Sequence, residues 1–487
     1  MARLLAIRTR VALAFVAVIS LLALGFAAPI AHAAPGDIDT TKTGSITIHK
    51  YANPDNGQTG NGTLLDPAPN TAPVPGVVFS YAKVDVDLTT NAGWTTASGL
   101  KVDAAGKVTL ADGSAATVGA ATNLAPTAAD GTASVSNLSL GVYLVQEVSA
   151  PDTVTQKAAP FLVTIPFPND AASWLYDVHV YPKNTVVTKD NQPVKVITDP
   201  NATHFPGDPI TWTITQKVPA LGTTETLSKF VLTDQLPAGV DPITAANVKV
   251  SVARAGVDQP TLAVAPMVSG TNLVTVDFAS QLTNLKSGDV VTVTISAVIS
   301  KTIAAGDLAN QSNTAINDKT FASTSDPTTD PTDPTTGTPT VVTFAPLTIN
   351  KVNKAGQPLT DAQFAVWPAQ ADGTCAAKPA NAQVLTTATD AGTAVLQMVI
   401  GAYCVQEIKA PVGYEIAADY ANPVKVDVVK DTGLTLAITN LKSAETGTGD
   451  LLNLPLTGAA GLVIMTLLGA ALLAGAVGLG VVAVRRR

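Results

Sequence analysis

Apolar and polar residues alternate with a period of two along most of the chain. The runs GSITIHKYA (44–52), VTVTISAVIS (291–300), PLTINKV (346–352) and KVDVVKD (425–431) carry the pattern most clearly. β-branched residues at that period predict half-buried strands. The turn sequences PDNG, PNDA, LPAGV and KAGQP punctuate them. No long amphipathic helical pattern occurs between the two ends. The chain therefore reads as all-β, with sandwiches the preferred packing.

Both ends break this pattern. Arg3, Arg8 and Arg10 precede an apolar run, Val11 to Ala27, whose one polar side chain is Ser20; Ala31-His32-Ala33 follows. Positive residues, an apolar stretch and an A-x-A site predict a secretory signal over 1–33. At the other end, Leu454-Pro455-Leu456-Thr457-Gly458 precedes an uncharged stretch, Ala459 to Val484, and then Arg485 to Arg487. That stretch is long enough to span a bilayer, and the arginines would keep its end in the cytoplasm. A third break, DPTTDPTDPTTGTPT over 326–340, favours extended geometry and reads as a linker.

Composition narrows the function. Of 487 residues only 14% are charged, and the formal charge is −8. An acidic chain without a basic run is not expected to bind nucleic acid. Four histidines and two cysteines are scattered, with no HExxH, CxxC, P-loop or GxSxG sequence. Neither a cofactor nor turnover catalysis is expected, and metal binding is left open. In an exported chain Cys375 and Cys404 are expected to pair, with a stabilisation of roughly 3–4 kcal/mol.

An internal repeat carries the chemistry. GVYLVQEVSAP (141–151) matches GAYCVQEIKAP (401–411), aligning Glu147 with Glu407. Each copy has a lysine-bearing strand upstream, ending at Lys50 or Lys351, and an asparagine-bearing strand downstream, ending at Asn184 or Asn440. Alternation puts Lys351 on the face of Leu347 and Ile349, and Asn440 on that of Leu436 and Ile438. Polar groups aimed at a core must satisfy one another. One solution is a buried hydrogen-bonded ion pair. The other is covalent: desolvation favours a neutral amine and a protonated carboxyl. The amine attacks the asparagine carbonyl, the carboxyl shuttles the proton, ammonia leaves and an isopeptide bond remains. Between the repeats lies a different set: Lys195 on an opening strand, Asp234 just before a turn, and Asn310 or Asn313 on a late strand. Lys189 competes with Lys195, and both choices stay open.

Four resemblances follow from these residues. LPLTG, apolar span and basic tail resemble the cell-wall sorting signal of Gram-positive surface proteins. That implies cleavage by a sortase between Thr457 and Gly458, a thioester on Thr457 and anchoring to cell wall peptidoglycan. The Lys, Y-x-x-x-E and Asn sets resemble Cna-B-type domains, and Lys195 with Asp234 resembles the Cna-A-like middle domain of shaft pilins. Trp174-Leu-Tyr-Asp-Val178-His-Val180-Tyr181-Pro182-Lys183 fits the pilin motif WxxxVxVYPK. The whole chain is thus similar to the major, or shaft, pilins of sortase-assembled pili. That resemblance implies three tandem immunoglobulin-like β-sandwich domains at 34–184, 185–325 and 341–445, with the sorting signal at 446–487. It implies Lys183 as the amine that accepts Thr457 of another copy, head to tail, on a surface pilus that includes minor pilins and supports adhesion. It also implies catalysis limited to a single crosslink in any one domain, and such pilins often lack the bond in their first domain, so Lys50–Asn184 stays open. A singly anchored adhesin for a host ligand is the alternative.

Overall fold

The computed structural model describes residues 38–443, apart from 55–59, 170–172, 256–261, 327–336 and 389–390. The expected signal segment, the LPLTG sequence, the apolar span and most of the expected linker lie outside these residues. The described residues are mostly strand and form two compact units. The first comprises the chain up to Thr203, Gly207–Lys301 and Leu308–Val342; the second comprises His204–Pro206, Thr302–Asp307 and the chain from Thr343.

The first unit contains two sandwiches. In one, the strand Gly44–His49 pairs in parallel with Asp177–Val180 and antiparallel with Thr132–Leu138. Its other sheet runs in the order Phe161–Ile165, Gly141–Ser149, Val78–Val84, Thr122–Asn123. Ile46, Ile48, Phe79, Tyr143, Val145, Val163 and Val178 interleave between the sheets, as period-two strands demand. The strand expected to run through Val178–Asn184 is interrupted. Asp177–Val180 ends at Tyr181-Pro182, and Lys183–Val186 starts a new pairing, parallel with Tyr51–Ala52. Pro182 has no N–H to give a ladder, so the break falls there.

The second sandwich opposes Val194–Ile197, Pro209–Lys217, Val290–Val298 and Val248–Ala253 to a five-stranded sheet centred on Phe230–Gln235. Trp212, Phe230, Phe278 and Phe321 fill its core. The second unit repeats the first sandwich. Thr340–Asn353, from Thr343 onward, pairs antiparallel with Thr393–Val399 and parallel with Leu434–Asn440. The opposite sheet is Gln383–Thr386, Gln363–Pro368, Gly401–Lys409, Val424–Val428. Cys375 and Cys404 form a disulfide with a Cα–Cα distance of 5.7 Å.

One α-helix, Asn91–Gly99, departs from the sequence expectation. Thr90 caps it by accepting from Gly93 N at 3.0 Å, and Trp94 donates its indole N–H to Leu88 O at 2.8 Å. The helix is short, and only Trp94 and Ala97 of its residues pack on the adjoining apolar cluster. It therefore leaves no periodic stripe in the sequence.

Glycines hold both lysine-bearing strand ends. Lys50 N donates to Gly131 O at 2.8 Å, and Lys351 N donates to Gly392 O at 2.7 Å. Gly392 has φ +60°, and a Cβ there would lie 2.7 Å from Lys351 O and 2.8 Å from Leu359 N. Both contacts are to backbone, so neither can rotate away. Gly392→Ala should destabilise the second unit by about 1–3 kcal/mol. A calorimetric transition unchanged from wild type would contradict this close-packed turn.

Candidate functional site

In the second unit, Lys351 and Asn440 face each other across the parallel pair of first and last strands, where Lys351 is opposite Ile438 and Asn353 opposite Asn440. Glu407 reaches them from the opposing sheet. The Lys351 amine contacts Asn440 Oδ1, donates to Ile438 O at 3.2 Å and lies 3.6 Å from Glu407 Oε2. Asn440 Nδ2 donates to Glu407 Oε1 at 2.7 Å, and Ala417 N donates to Oε2 at 2.8 Å. All three side chains are buried. Burial pushes Lys351 down to about 8, against the opposing pull of Glu407.

The first sandwich has the same layout. Lys50 Nζ lies 2.5 Å from Asn184 Oδ1 and 3.1 Å from Glu147 Oε2. Asn184 Nδ2 donates to Glu147 Oε1 at 2.8 Å, and Ala158 N donates to Oε2 at 3.2 Å. Burial pushes Lys50 down to about 8, with Glu147 pulling the other way. An aromatic ring underlies each amine: Phe79 at 5.6 Å from Lys50, Phe364 at 5.8 Å from Lys351. Phe79 stands opposite Glu147 in its sheet and Phe364 opposite Glu407. Sequence reasoning missed these phenylalanines and the two alanine N–H donors. The shared phenylalanine in the strand facing each glutamate was the available signal.

In the second sandwich, Lys195 Nζ lies 2.5 Å from Asp234 Oδ2, both fully buried, with the Trp212 ring 5.4 Å from the amine. Burial pushes Lys195 down to about 8 and pushes Asp234 up, each opposed by the partner's charge. Asn310 is buried against Asp234, whereas Asn313 is exposed beside Thr233's strand position and Lys189 is exposed. Among the described residues, neither amide atom of Asn310 nor Asp234 Oδ1 has a hydrogen-bond partner.

Lys183 is half-buried and lines a cleft of about 560 Å³ with His179, Tyr181, Asn53 and Glu225. His49 Nε2 and His179 Nδ1 share a hydrogen bond of 2.8 Å, and the Tyr181 ring stacks on His49 at 4.7 Å. Burial and then His179 hold His49 below its usual 6.5, with Asp130 opposing. Among the described residues, no group of three or more His, Cys, Asp or Glu is placed to hold a metal. Nor is any described helix long and apolar enough to cross a membrane. Leu454, Pro455, Leu456, Thr457 and Gly458 fall outside the described residues.

Residues 41–185 match the family described as Gram-positive pilin subunit D1, N-terminal domain, and residues 345–442 match a prealbumin-like fold domain. The chain is 31% identical to fimbrial subunit type 2 of Actinomyces naeslundii, over 96% of this chain and 95% of that one. It is 38% identical to fimbrial subunit type 1 of Actinomyces viscosus, over 44% of this chain and 39% of that one. The full-length major pilin SpaD of Corynebacterium diphtheriae superposes with a TM-score of 0.64 at 26% identity, covering 83% of this chain and 98% of SpaD.

The histidine pair sets a pH dependence. With His49 depressed, the unfolded chain takes up the proton first as pH falls below 6.5. This contribution to stability is complete above that pH and is lost as pH falls towards the folded-state value. Its slope stays below the ~1.4 kcal/mol per pH unit of one whole proton. Between pH 7.5 and 5, the melting temperature of wild type should fall more steeply than that of His49→Gln. Parallel pH profiles would remove His49 as the cause.

Proposed function

The chain belongs to the Gram-positive fimbrial subunits, as a major pilin and structural component of a cell-surface pilus, and on that premise we propose how its subunits are joined and locked. A sortase cleaves the exported chain after Thr457, and Lys183 of another copy attacks the resulting thioester, giving a head-to-tail polymer. The last subunit passes to cell wall peptidoglycan, and minor pilins join by the same chemistry. A heterologous contact of this kind need not close into a ring, which suits a fibre. Three domains, at 34–184, 185–325 and 341–445, are the units, with 326–340 as linker.

Within each domain a lysine joins an asparagine: Lys50 to Asn184, Lys195 to Asn310 and Lys351 to Asn440. The observation that carries this reading is the contact of Lys351 with Asn440 while Glu407 holds the amide nitrogen. With the amine at about 8, roughly one in ten is neutral at pH 7, against roughly one in three thousand at 10.5. The neutral amine adds to Cγ of the asparagine. Glu407 is placed to carry the amine's proton to the amide nitrogen; the C–N bond to that nitrogen breaks, ammonia leaves and an amide remains. Asp234 and Glu147 have the same role in their sandwiches. In the second sandwich the burial of Asn310 against Asp234, where Asn313 is exposed, supports the choice of Asn310. Each reaction occurs once, so the chain is a substrate and a structural part, not a turnover catalyst.

Lys183→Arg keeps the charge but offers no usable nucleophile, because guanidinium stays protonated. Incubated with sortase, it should remain a folded monomer while wild type gives a ladder on denaturing gels. A normal ladder from the variant would reject Lys183 as acceptor.

Intact-mass measurement of the mature, reduced chain should show one ammonia missing per crosslink, three in all. Glu407→Ala should restore one and lower the melting temperature, because Lys351 stays buried without its carboxylate. A wild-type mass equal to the sequence mass would leave three hydrogen-bonded ion pairs and no covalent locks.

A further inference from the structure

The first two sandwiches meet at a carboxylate that neither the crosslinks nor the acceptor lysine requires by itself. Glu225 lies in the loop between Pro209–Lys217 and Phe230–Gln235 of the second sandwich. Its Oε2 accepts from Gly222 N at 2.8 Å, which closes its own loop. The same oxygen accepts from Asn53 Nδ2 at 2.9 Å and from Thr185 Oγ1 at 2.6 Å, both in the first sandwich. Asn53 Nδ2 also donates to Thr185 Oγ1 at 3.1 Å, so the three side chains form a closed triangle.

That triangle sits on one short strand. Thr185 follows Asn184 and Lys183 in Lys183–Val186. Asn53 N donates to Asn184 O at 2.8 Å, so Asn53 fixes the same strand from its other side. The strand has only two residues of parallel pairing, Lys183 with Tyr51 and Asn184 with Ala52, and its register shifts between Thr185 and Val186 on the antiparallel side. A pairing this short specifies register weakly. A half-buried, charged acceptor bonded to both partners specifies it strongly. Gly222 fits closely over the Glu225 side chain: a Cβ there would lie 3.0 Å from Glu225 Cδ. The loop therefore aims the carboxylate at the first sandwich.

We propose that Glu225 is the positioning residue for the strand Lys183–Val186, so that the second sandwich must dock on the first before Lys183 and Asn184 are held in place. The part concerning Asn184 rests on the crosslink reading above. The charge of Glu225 also favours the charged form of Lys50, as the smallest of the influences on that amine. Its influence on the bond would run through Thr185 and Asn53.

The test compares wild type, Glu225→Ala and Glu225→Gln in the full mature chain. A glutamine carbonyl can still accept from Thr185 and Asn53; alanine cannot. Amide hydrogen exchange over residues 183–187 should be at least tenfold faster in the alanine variant and within threefold of wild type in the glutamine variant. Exchange over Leu434–Asn440 should stay unchanged in both. Followed by peptide mapping after synthesis, ammonia loss at Lys50–Asn184 should slow severalfold in the alanine variant only, with Lys351–Asn440 keeping its rate. Unchanged exchange over 183–187 in the alanine variant would overturn the proposal, as would a glutamine variant that fails like alanine or an equal slowing at both crosslinks. Should wild type itself lose no ammonia at Lys50–Asn184, the crosslink reading fails for that sandwich, and hydrogen exchange alone decides the role of Glu225.

Discussion

A lysine amine taken out of water between two sheets constrains everything around it. An unpaired ammonium there would cost several kcal/mol, so a carboxylate and an amide must reach it from fixed directions. Lys351 meets Asn440 along its own sheet and Glu407 across the core, and Lys50 meets Asn184 and Glu147 in the same way. This requires the first and last strands to be neighbours and parallel. It also requires the glutamate strand to lie opposite them. The phenylalanine floor and the backbone N–H on the second carboxylate oxygen complete an enclosure in which each polar group has a partner.

The second sandwich solves the same problem differently. Asp234 lies on the strand Phe230–Gln235 and bonds Lys195 directly, with Asn310 buried beside it. The shorter aspartate suits a site in which acid and amine are drawn close together. A tryptophan takes the place of the phenylalanine beneath the amine. Two unlike sandwiches thus converge on a buried amine, a carboxyl group, an asparagine and an aromatic ring.

Much of this was legible because strand alternation assigns faces. Lys351 and Asn440 fall on apolar faces of their strands, and the repeated Y-x-x-x-E stretch supplies the third partner. Face assignment was harder where the inward face is itself polar. Alternation carries through the break at Gln311, so Asn310 shares the buried face of Ser312, Thr314 and Ile316 while Asn313 faces out, but a face so rich in polar side chains does not declare itself as the core side in the sequence. The helix Asn91–Gly99 and the carboxylate of Glu225 were hidden for a different reason. Each depends on one local cap or one distant contact, and neither leaves a period in the sequence.

The parallel pairing of the first and last strands has a mechanical meaning. From Leu347 to Asn353 the opening strand lies alongside Leu434 to Asn440 of the closing one, both running in the same direction. Tension that enters through the start of one strand and leaves through the end of the other pulls the pair along its length. The ladder is then loaded in shear, with all its rungs sharing the stress, instead of being unzipped one rung at a time. The sheet that carries Glu407, and every loop between the two strands, stays off the line of pull.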